Sequence, residues 1–210
     1  MSLGVRTRLR RIGTDDRYVV IPMDHGITLG AVDGLVDLEA TIASVVEGGA
    51  DAVLTQKGVA DRAQTGIERA VAAGAADAGY VAHLNGSTVL GPDANDKRRT
   101  GTVEEAIRLG ADAVSYHINV GSEHEREQIE DLSRVTESTE LPVLIAGGEP
   151  GGDLETLTTV ADAMAAGGDG ASVGRAVFQH DRPGAMAAAV SDVVHEGATP
   201  EAALRAAELG

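Results

Sequence analysis

Short apolar runs rich in β-branched residues alternate along this chain with longer, alanine-rich segments. Runs that are apolar throughout are typical of strands covered on both faces, so the alternation predicts βα units built on a parallel sheet. The predicted strands are Tyr18–Met23, Ala52–Gln56, Gly79–Leu84, Ala111–Ile118, Leu141–Ala146 and Gly170–Val173.

The segments between these runs carry helix signals. Thr102-Val-Glu-Glu105 is a capping-box pattern, and Thr199 before Pro200 is a predicted N-cap of a terminal helix. The other predicted helices cover approximately Asp37–Glu47, Arg62–Ala73, Glu123–Ser138, Leu154–Ala166 and Pro183–His195.

Three turns between a helix and the next strand resemble one another. In each, glycine ends the helix and a small residue leads into the strand, which favours a (βα)-repeat barrel over a doubly wound sheet. The turns are Gly48-Gly-Ala-Asp-Ala-Val53, Gly110-Ala-Asp-Ala-Val114 and Gly167-Gly-Asp-Gly-Ala171.

The number of strands is too small for a complete barrel. A (β/α)8 barrel has eight strands and about 250 residues, whereas this chain has 210 residues and six predicted strands. We therefore expect one α/β domain over residues 1–210 with an incomplete TIM-barrel-type fold, about six of eight βα units.

Composition excludes several classes of function. The chain has no cysteine, which rules out disulfides, a thiol nucleophile and thiolate metal sites. Its net charge of -16 disfavours binding to nucleic acid, and it fits a surface adapted to high salt. No apolar run is long enough for a membrane span or a secretory signal, so we expect a cytoplasmic protein without membrane partners.

Polar residues follow nearly every predicted strand. In a parallel barrel the carboxyl ends of the strands meet at one face, where active sites are found. The residues expected at this face are Asp24, His25, Lys57, His83, Asn85, His117, Asn119, Gly147, Gly148, Gly174 and Arg175.

Glycine turns after the last two strands predict a phosphate site. Gly147, Gly148 and Gly174 would expose backbone N–H groups, and the Arg175 guanidinium could bind phosphate oxygens in a bidentate manner. Each of these two glycine-containing turns, taken alone, also fits ordinary tight-turn geometry. Asp24 could transfer a proton if partly desolvated, or it could cap the next helix.

The first-strand segment Ile21-Pro-Met-Asp-His-Gly-Ile-Thr-Leu-Gly30 resembles a motif of archaeal-type class I fructose-bisphosphate aldolases and the related 2-amino-3,7-dideoxy-D-threo-hept-6-ulosonate synthases. Further matching motifs follow in order over nearly the whole chain. They are Leu54-Thr-Gln-Lys-Gly58, His83-Leu-Asn-Gly-Ser-Thr88, Ala111-Asp-Ala-Val-Ser-Tyr-His-Ile-Asn-Val-Gly-Ser122, Pro142-Val-Leu-Ile-Ala-Gly-Gly148 and Val173-Gly-Arg-Ala-Val-Phe-Gln-His-Asp181.

The resemblance implies metal-free and cofactor-free aldol chemistry on a sugar phosphate. A lysine amine forms an iminium with the ketose phosphate, and this iminium stabilises the carbanion formed next to it. Asp24 matches the proton-transferring aspartate, and Asp24, His25, Gly26, Ile27 and Thr28 match the substrate-contacting loop. The resemblance also implies a homo-oligomer, and it assigns the phosphate-binding turns to Gly147, Gly148, Gly174 and Arg175.

The same resemblance shows what this sequence lacks. The family has a lysine strand and a tyrosine strand between the segments that match Asn119–Ser122 and Leu141–Gly148, but here that interval contains neither residue type. We expect an internal deletion of two βα units, with its junction near residues 123–141.

Two replacements for the missing lysine can be considered. Lys57 ends a strand and is the substitute amine, although such a lysine more often pairs with a carboxylate at the rim, and Lys97 lies in a polar run expected to be solvated. A divalent metal on Asp24, His25, His83 and His117 is a second possibility, but the matching motifs belong to a metal-free family.

Three hypotheses of different class remain open. The chain is an impaired aldolase acting on ketose phosphates, in glycolysis/gluconeogenesis or aromatic amino acid biosynthesis; a non-catalytic sugar-phosphate-binding protein; or a deletion product that folds only when subunits complete one another's sheet.

Overall fold

Six parallel strands form the centre of the fold, in a computed structural model that describes residues 2–119, 122–135, 144–146 and 151–209, without the side chains of 132–135 and 144–146. The strands of the chain are β1 (Tyr18–Pro22), β2 (Ala52–Gln56), β3 (Gly79–His83), β4 (Asn85–Gly86), β5 (Arg98–Arg99), β6 (Ala113–Ser115), β7 (Leu144–Ala146) and β8 (Gly170–Ser172). The main sheet has the order β6-β3-β2-β1-β8-β7, and β4 and β5 form a separate antiparallel pair.

This order is that of a barrel from which two adjacent strands are missing. The first strand pairs with the last one, Val20 beside Ser172, as happens when a βα barrel closes. The strands then continue outward in chain order on both sides of β1, until β6 and β7 form the two edges of the sheet. No described strand pairs with the free edges of β6 and β7 to close the sheet. This confirms the expected incomplete TIM-barrel-type sheet.

Several helices cover one face of the sheet. The helices of the described residues are α1 (Leu3–Ile12), α2 (Gly26–Leu29), α3 (Leu38–Glu47), α4 (Ala60–Ala72), α5 (Val103–Arg108), α6 (Glu125–Val135), α7 (Asp153–Ala165), α8 (Arg175–Phe178), α9 (Pro183–His195) and α10 (Pro200–Ala206), with a 3₁₀ turn at Lys57–Val59. The main core lies between this face and the helices, where Val19, Ile21, Val53 and Tyr80 pack among buried residues of α3, α4 and α9.

A second, smaller core fills the other face, which would be the interior of a barrel. Tyr18, Val20, Leu54 and Val81 pack there against Ile12 of α1. Gly79 allows this packing, since a Cβ at position 79 would lie 2.4 Å from the Cγ2 of Ile12. Helix α1 therefore closes the amino-terminal end of the incomplete barrel.

Most predicted boundaries agree with the structure to within one or two residues. The capping box of Thr102 and Glu105 is present, and the Thr199 side chain caps α10. The predicted strand at Ala111–Ile118 is wrong in length, because only Ala113–Ser115 pair with β3. Beyond Ser115 the Asn85 side chain replaces the neighbouring strand: it donates to the carbonyl of His117 at 2.8 Å and accepts from its amide at 2.9 Å.

Some expectations fall on residues outside the described ranges. These are residues 141–143 of the fifth predicted strand, part of the predicted junction at 123–141, and Gly147 and Gly148. Among the described helices none has the length and apolar character needed to cross a membrane.

Candidate active site

A cavity of about 440 Å³ opens at the carboxyl ends of the strands. Strand-end residues line one side of it, and helix α7 contributes Glu155, Thr156 and Thr159 on the other side. The lining residues from the strands and the turns that follow them are Pro22, Asp24, His25, Leu54, His83, Ser115, Tyr116, His117, Ile118, Ser172, Val173, Gly174 and Arg175. The chain thus brings together at one cavity five of the polar residues expected there: Asp24, His25, His83, His117 and Arg175.

Asp24 has a histidine on each side. Its carboxylate oxygens lie 3.8 Å from Nδ1 of His25 and 3.6 Å from Nε2 of His83. The aspartate is placed there by β1, whose continuation at Met23 donates its amide hydrogen to the Leu54 carbonyl at 2.7 Å. The Asp24 side chain retains 21% exposure, so the carboxylate faces the cavity while remaining partly desolvated.

Burial lowers the pKa of all three histidines at this cavity. For His25, His83 and His117 desolvation is the largest cause, and the negative charge of Asp24 opposes it in each case. Since a histidine normally titrates near pH 6.5, these imidazoles are predominantly neutral at neutral pH. His83 is further fixed by a 3.1 Å hydrogen bond between its Nδ1 and the Ser115 hydroxyl.

Gly174 and Arg175 follow β8, the parallel neighbour of β1, and lie beside the residues that follow β1. A Cβ on Gly174 would lie 2.9 Å from the Pro22 carbonyl oxygen and 3.0 Å from Cε1 of His25, so only glycine fits between these groups. The His25 ring also packs edge-on against Phe178, with ring centroids 5.1 Å apart. The tight turn after β8 therefore places Arg175 at the same cavity as Asp24.

Tyr116 also lines the cavity but its hydroxyl is directed elsewhere. It donates to Oδ2 of Asp131 at 3.2 Å. Burial, and then the charge of Asp131, raise the pKa of Tyr116 to about 12. This phenol is therefore protonated throughout the physiological range.

The remaining predicted residues have other roles. Asn85 and Asn119 bond within the protein, Asn85 to the His117 backbone and the Asn119 amide to Oε1 of Gln128 at 2.7 Å. Gly26, Ile27 and Thr28 form the short helix α2 beside the cavity but do not line it, whereas their neighbours Asp24 and His25 do.

Lys57 is held away from the cavity by an ion pair. Its Nζ lies 3.0 Å and 3.2 Å from the two carboxylate oxygens of Glu105, the residue that also completes the capping box of α5. The pairing of Lys57 with a rim carboxylate, expected as the more common role of such a lysine, is thus what the structure shows.

Sequence reasoning missed several residues at this site. Ser115 falls within a predicted strand, and Glu155, Thr156 and Thr159 lie on helix α7, away from the strand ends where site residues were expected. Lys97, which was expected to be solvated and does not line the cavity, is half-buried instead. No sequence signal indicated this, because the residues whose pairing positions it, Gly86 and Arg98, are not typical of a strand.

The hypothetical metal site is not assembled. Among described residues, the one group of three potential ligand side chains with donor atoms within 4.8 Å of one another is Asp93, Glu123 and His124. None of these three lines the cavity, and Asp24 with the neighbouring histidines does not form such a group.

Comparison with known proteins identifies related sequences. A family model described as DeoC/LacD family aldolase matches residues 18–140 and 132–180, two segments that overlap at 132–140. The 2-amino-3,7-dideoxy-D-threo-hept-6-ulosonate synthase of Halobacterium salinarum is 49% identical over 265 positions, covering 98% of this chain and 97% of that protein. A protein of the same name, numbered 1, from Archaeoglobus fulgidus is 36% identical and covers 92% of each chain.

The alignment with the Halobacterium protein is longer than this chain. Its 265 positions exceed the 210 residues here by 55, so at least that many positions have no counterpart in this sequence. Among solved structures, an archaeal fructose 1,6-bisphosphate aldolase superposes with a TM-score of 0.72 at 22% identity, over 92% of this chain and 100% of that one. At this level of identity the likeness establishes the fold.

Proposed function

Because this chain belongs to the DeoC/LacD family of aldolases, we propose that its cavity binds a ketose phosphate with the carbonyl group beside Asp24. The observation that carries this proposal is that Asp24 and Arg175, which follow the neighbouring strands β1 and β8, line the same cavity. Its volume of about 440 Å³ falls within the range of roughly 300–1,000 Å³ that small-molecule sites occupy.

Recognition of the phosphate is assigned to the turn after β8. A guanidinium binds two phosphate oxygens in parallel, which makes arginine suited to this task. The protein has a net charge of -16, so a dianionic ligand is repelled unless a cation compensates locally. Arg175 supplies that charge at the cavity. The same role is proposed for Gly147 and Gly148, which follow β7 in the sequence.

Proton transfer is assigned to Asp24. Making or breaking a carbon–carbon bond next to a hydroxyl requires a base for the hydroxyl proton. Asp24 is partly desolvated, and its neighbours His25 and His83 are predominantly neutral, so the carboxylate is not neutralised by a charged imidazole. Asp24 is therefore available as the acceptor.

The reaction class proposed is aldol chemistry of the kind catalysed by the synthase relatives, at a lower rate than in a full-length enzyme. The alignment gap of at least 55 positions and the two-segment family match support an internal deletion near residues 123–141. The segment where the resemblance places the Schiff-base lysine contains no lysine. The second candidate function, sugar-phosphate binding without turnover, is favoured by the engagement of Lys57 with Glu105.

Thermal unfolding with dihydroxyacetone phosphate tests the binding proposal. We expect this ligand to raise Tm, and unphosphorylated dihydroxyacetone at the same concentration to have little effect. Arg175→Ala should weaken binding at least about tenfold, since a hydrogen bond to a charged group contributes roughly 1.5–3 kcal/mol. Arg182→Ala is the matched control, because Arg182 is exposed, bonds the Glu208 carbonyl and does not line the cavity.

Equal stabilisation of the Arg175→Ala and Arg182→Ala variants would contradict the proposal, as would equal effects of the phosphorylated and unphosphorylated ligands. Retro-aldol release of triose phosphate, measured in parallel, separates the two candidate functions: slow turnover supports the aldolase and its absence supports the binding protein.

We also propose that the protein forms a homo-oligomer. The edge strand β6 is only half-buried, whereas every residue of β3 beside it is buried. An uncovered edge with unpaired backbone groups is a template for pairing with another strand. A second copy of this chain is the partner that fits this edge.

A further inference from the structure

His83 connects the candidate base Asp24 to a serine on the edge strand. Its Nε2 lies 3.6 Å from Oδ2 of Asp24, and its Nδ1 lies 3.1 Å from the hydroxyl oxygen of Ser115. All three residues line the cavity. The sheet brings them together, because Ser115 is the register partner of His83 in the parallel pair β3–β6, and Asp24 follows β1, two strands from β3.

The His83 ring has little access to water. The residue is 5% exposed, and a buried polar group needs hydrogen-bond partners within the protein. A neutral imidazole has one N–H donor and one acceptor nitrogen, so its two nitrogens make contacts of opposite kinds. Which nitrogen carries the hydrogen therefore depends on the group that each one faces.

The two groups that face His83 differ in what they can do. An ionised carboxylate only accepts hydrogen bonds, whereas a hydroxyl can donate or accept. The hydrogen therefore belongs on Nε2, which faces Asp24, and the Ser115 hydroxyl donates to Nδ1. In the opposite tautomer the lone pair of Nε2 would face the negative carboxylate, which is unfavourable at a site with little water.

The other charged and titratable groups around His83 are His117, Lys97 and His25. Burial is the largest cause of the lowered pKa of His83; the charge of Asp24 opposes it, and the positive charges of these three groups add to it. The His83 ring is therefore neutral at neutral pH and has a tautomer to be fixed.

We propose that His83 is a positioning residue for Asp24, and that Ser115 holds its imidazole in the tautomer that this role requires. The Nε2 hydrogen is directed at Oδ2 of Asp24, which leaves Oδ1 to take the proton of the ligand hydroxyl. The assignment of Asp24 as the base rests on the proposed function. The N–O separation of 3.6 Å is longer than a hydrogen bond, so the two groups move closer in the reacting complex, as catalytic groups commonly do.

Nitrogen NMR of isotope-labelled histidine tests the tautomer directly, because the ring nitrogen shifts distinguish the two neutral forms and the charged form. The protein contains six histidines, and the signals of His83 are identified by their loss in His83→Gln. At about pH 8 we expect the Nε2–H form of His83 to exceed the Nδ1–H form at least about tenfold, since a hydrogen bond to a charged group contributes roughly 1.5–3 kcal/mol.

Replacing each neighbour of His83 tests what fixes the tautomer. Asp24→Asn should lower the ratio of the two forms at least about tenfold, because the carboxylate is lost and an amide can donate to Nε2. Such coupling is reciprocal, so the effect of Asp24 on His83 measures the effect of His83 on Asp24. An unchanged ratio in Asp24→Asn, or a wild type in the Nδ1–H form, would overturn the proposal.

Ser115 is tested with a rescue and a matched control. Ser115→Ala removes the donor to Nδ1 and should lower the ratio about threefold, whereas Ser115→Thr keeps a hydroxyl and should retain the wild-type ratio. Ser172→Ala removes another serine that lines the cavity, and it should leave the ratio unchanged. Equal ratios in Ser115→Ala and Ser172→Ala would overturn the role of Ser115.

The outcome is separate from that of the proposed function, because the tautomer is measured without ligand. Ser115→Ala should keep the increase in Tm caused by dihydroxyacetone phosphate, since Ser115 acts on Asp24 and not on the phosphate. Loss of that increase in Ser115→Ala but not in Ser172→Ala would show a role in ligand binding and overturn the positioning role. The expected ratios together with no effect of the ligand on wild-type Tm would overturn only the proposed function.

Discussion

Aspartates in the recurring helix-to-strand turns fix the amino-terminal ends of neighbouring strands. Oδ2 of Asp51 accepts the Val19 amide hydrogen at 2.7 Å, and Oδ2 of Asp112 accepts that of Tyr80 at 3.1 Å. In both cases the partner strand lies 32 residues earlier, the length of one βα unit. The same repeated residue thus holds successive units in register.

His195, the last residue of α9, contacts one of these aspartates, Asp51. Its Nε2 lies 2.9 Å from Oδ2 of Asp51, and this hydrogen bond is the main cause that raises the pKa of His195. A raised folded-state pKa stabilises the protein most below the unfolded value of about 6.5, and the contribution disappears as the pH rises through the folded value.

The pH dependence of stability tests this linkage. His195→Ala should lower the free energy of unfolding by about 1 kcal/mol at pH 6, and by less at pH 9, as measured by urea denaturation. The cavity histidines have lowered pKa values and act in the opposite sense, so the difference between wild type and variant isolates His195. A difference that is the same at both pH values would refute the linkage. His195→Gln keeps a donor without titrating, so the difference in unfolding free energy between the Gln and Ala variants should be nearly the same at both pH values.

At the scale of elements, the sequence predicts the strands better than the connections. Apolar runs marked β1, β2, β3 and β8 to within one residue because burial on both faces requires them. The run at Ala111–Ile118 was too long a prediction, since a side chain of Asn85 takes over the pairing. Helix α1 was not predicted because it is mostly polar and exposed, with Ile12 its one buried residue.

The candidate site shows the same division. Asp24, His25, His83, His117 and Arg175 follow from the rule that strand ends share one face, and the structure places them at one cavity. The half-burial of Lys97, which does not line the cavity, could not be found that way, because it depends on a return of the chain through the 11 residues between Gly86 and Arg98, which pair in strands of two residues each. That the α7 residues Glu155, Thr156 and Thr159 line the cavity could not be predicted from the strand-end rule, because they lie on a helix.

The edge strand β6 predicts that copies of this chain associate. Light scattering should give a mass above the 21.4 kDa of one chain. The mass should increase between about 0.1 M and 2 M KCl, because salt screens repulsion between copies of an acidic protein over distances beyond a few ångströms. A single 21.4 kDa species at every concentration and salt level would contradict the proposed pairing.

The whole molecule is a barrel-type sheet that keeps one continuous arc of strands. The arc β6-β3-β2-β1-β8-β7 retains the first and last strands as neighbours, so the residues that follow β1 and β8 remain side by side at one end of the sheet. Asp24 and Arg175 belong to these two strand ends. We propose that the units carrying the family's lysine are absent between β6 and β7, and that their absence leaves together the groups proposed to bind the sugar phosphate.

A crystal structure of the protein grown with dihydroxyacetone phosphate tests this claim most directly. The account predicts six parallel strands from each chain in the order found here, and phosphate density in contact with the Arg175 guanidinium in the cavity that Asp24 lines. Eight strands from one chain, or a ligand phosphate bound away from Arg175, would contradict it.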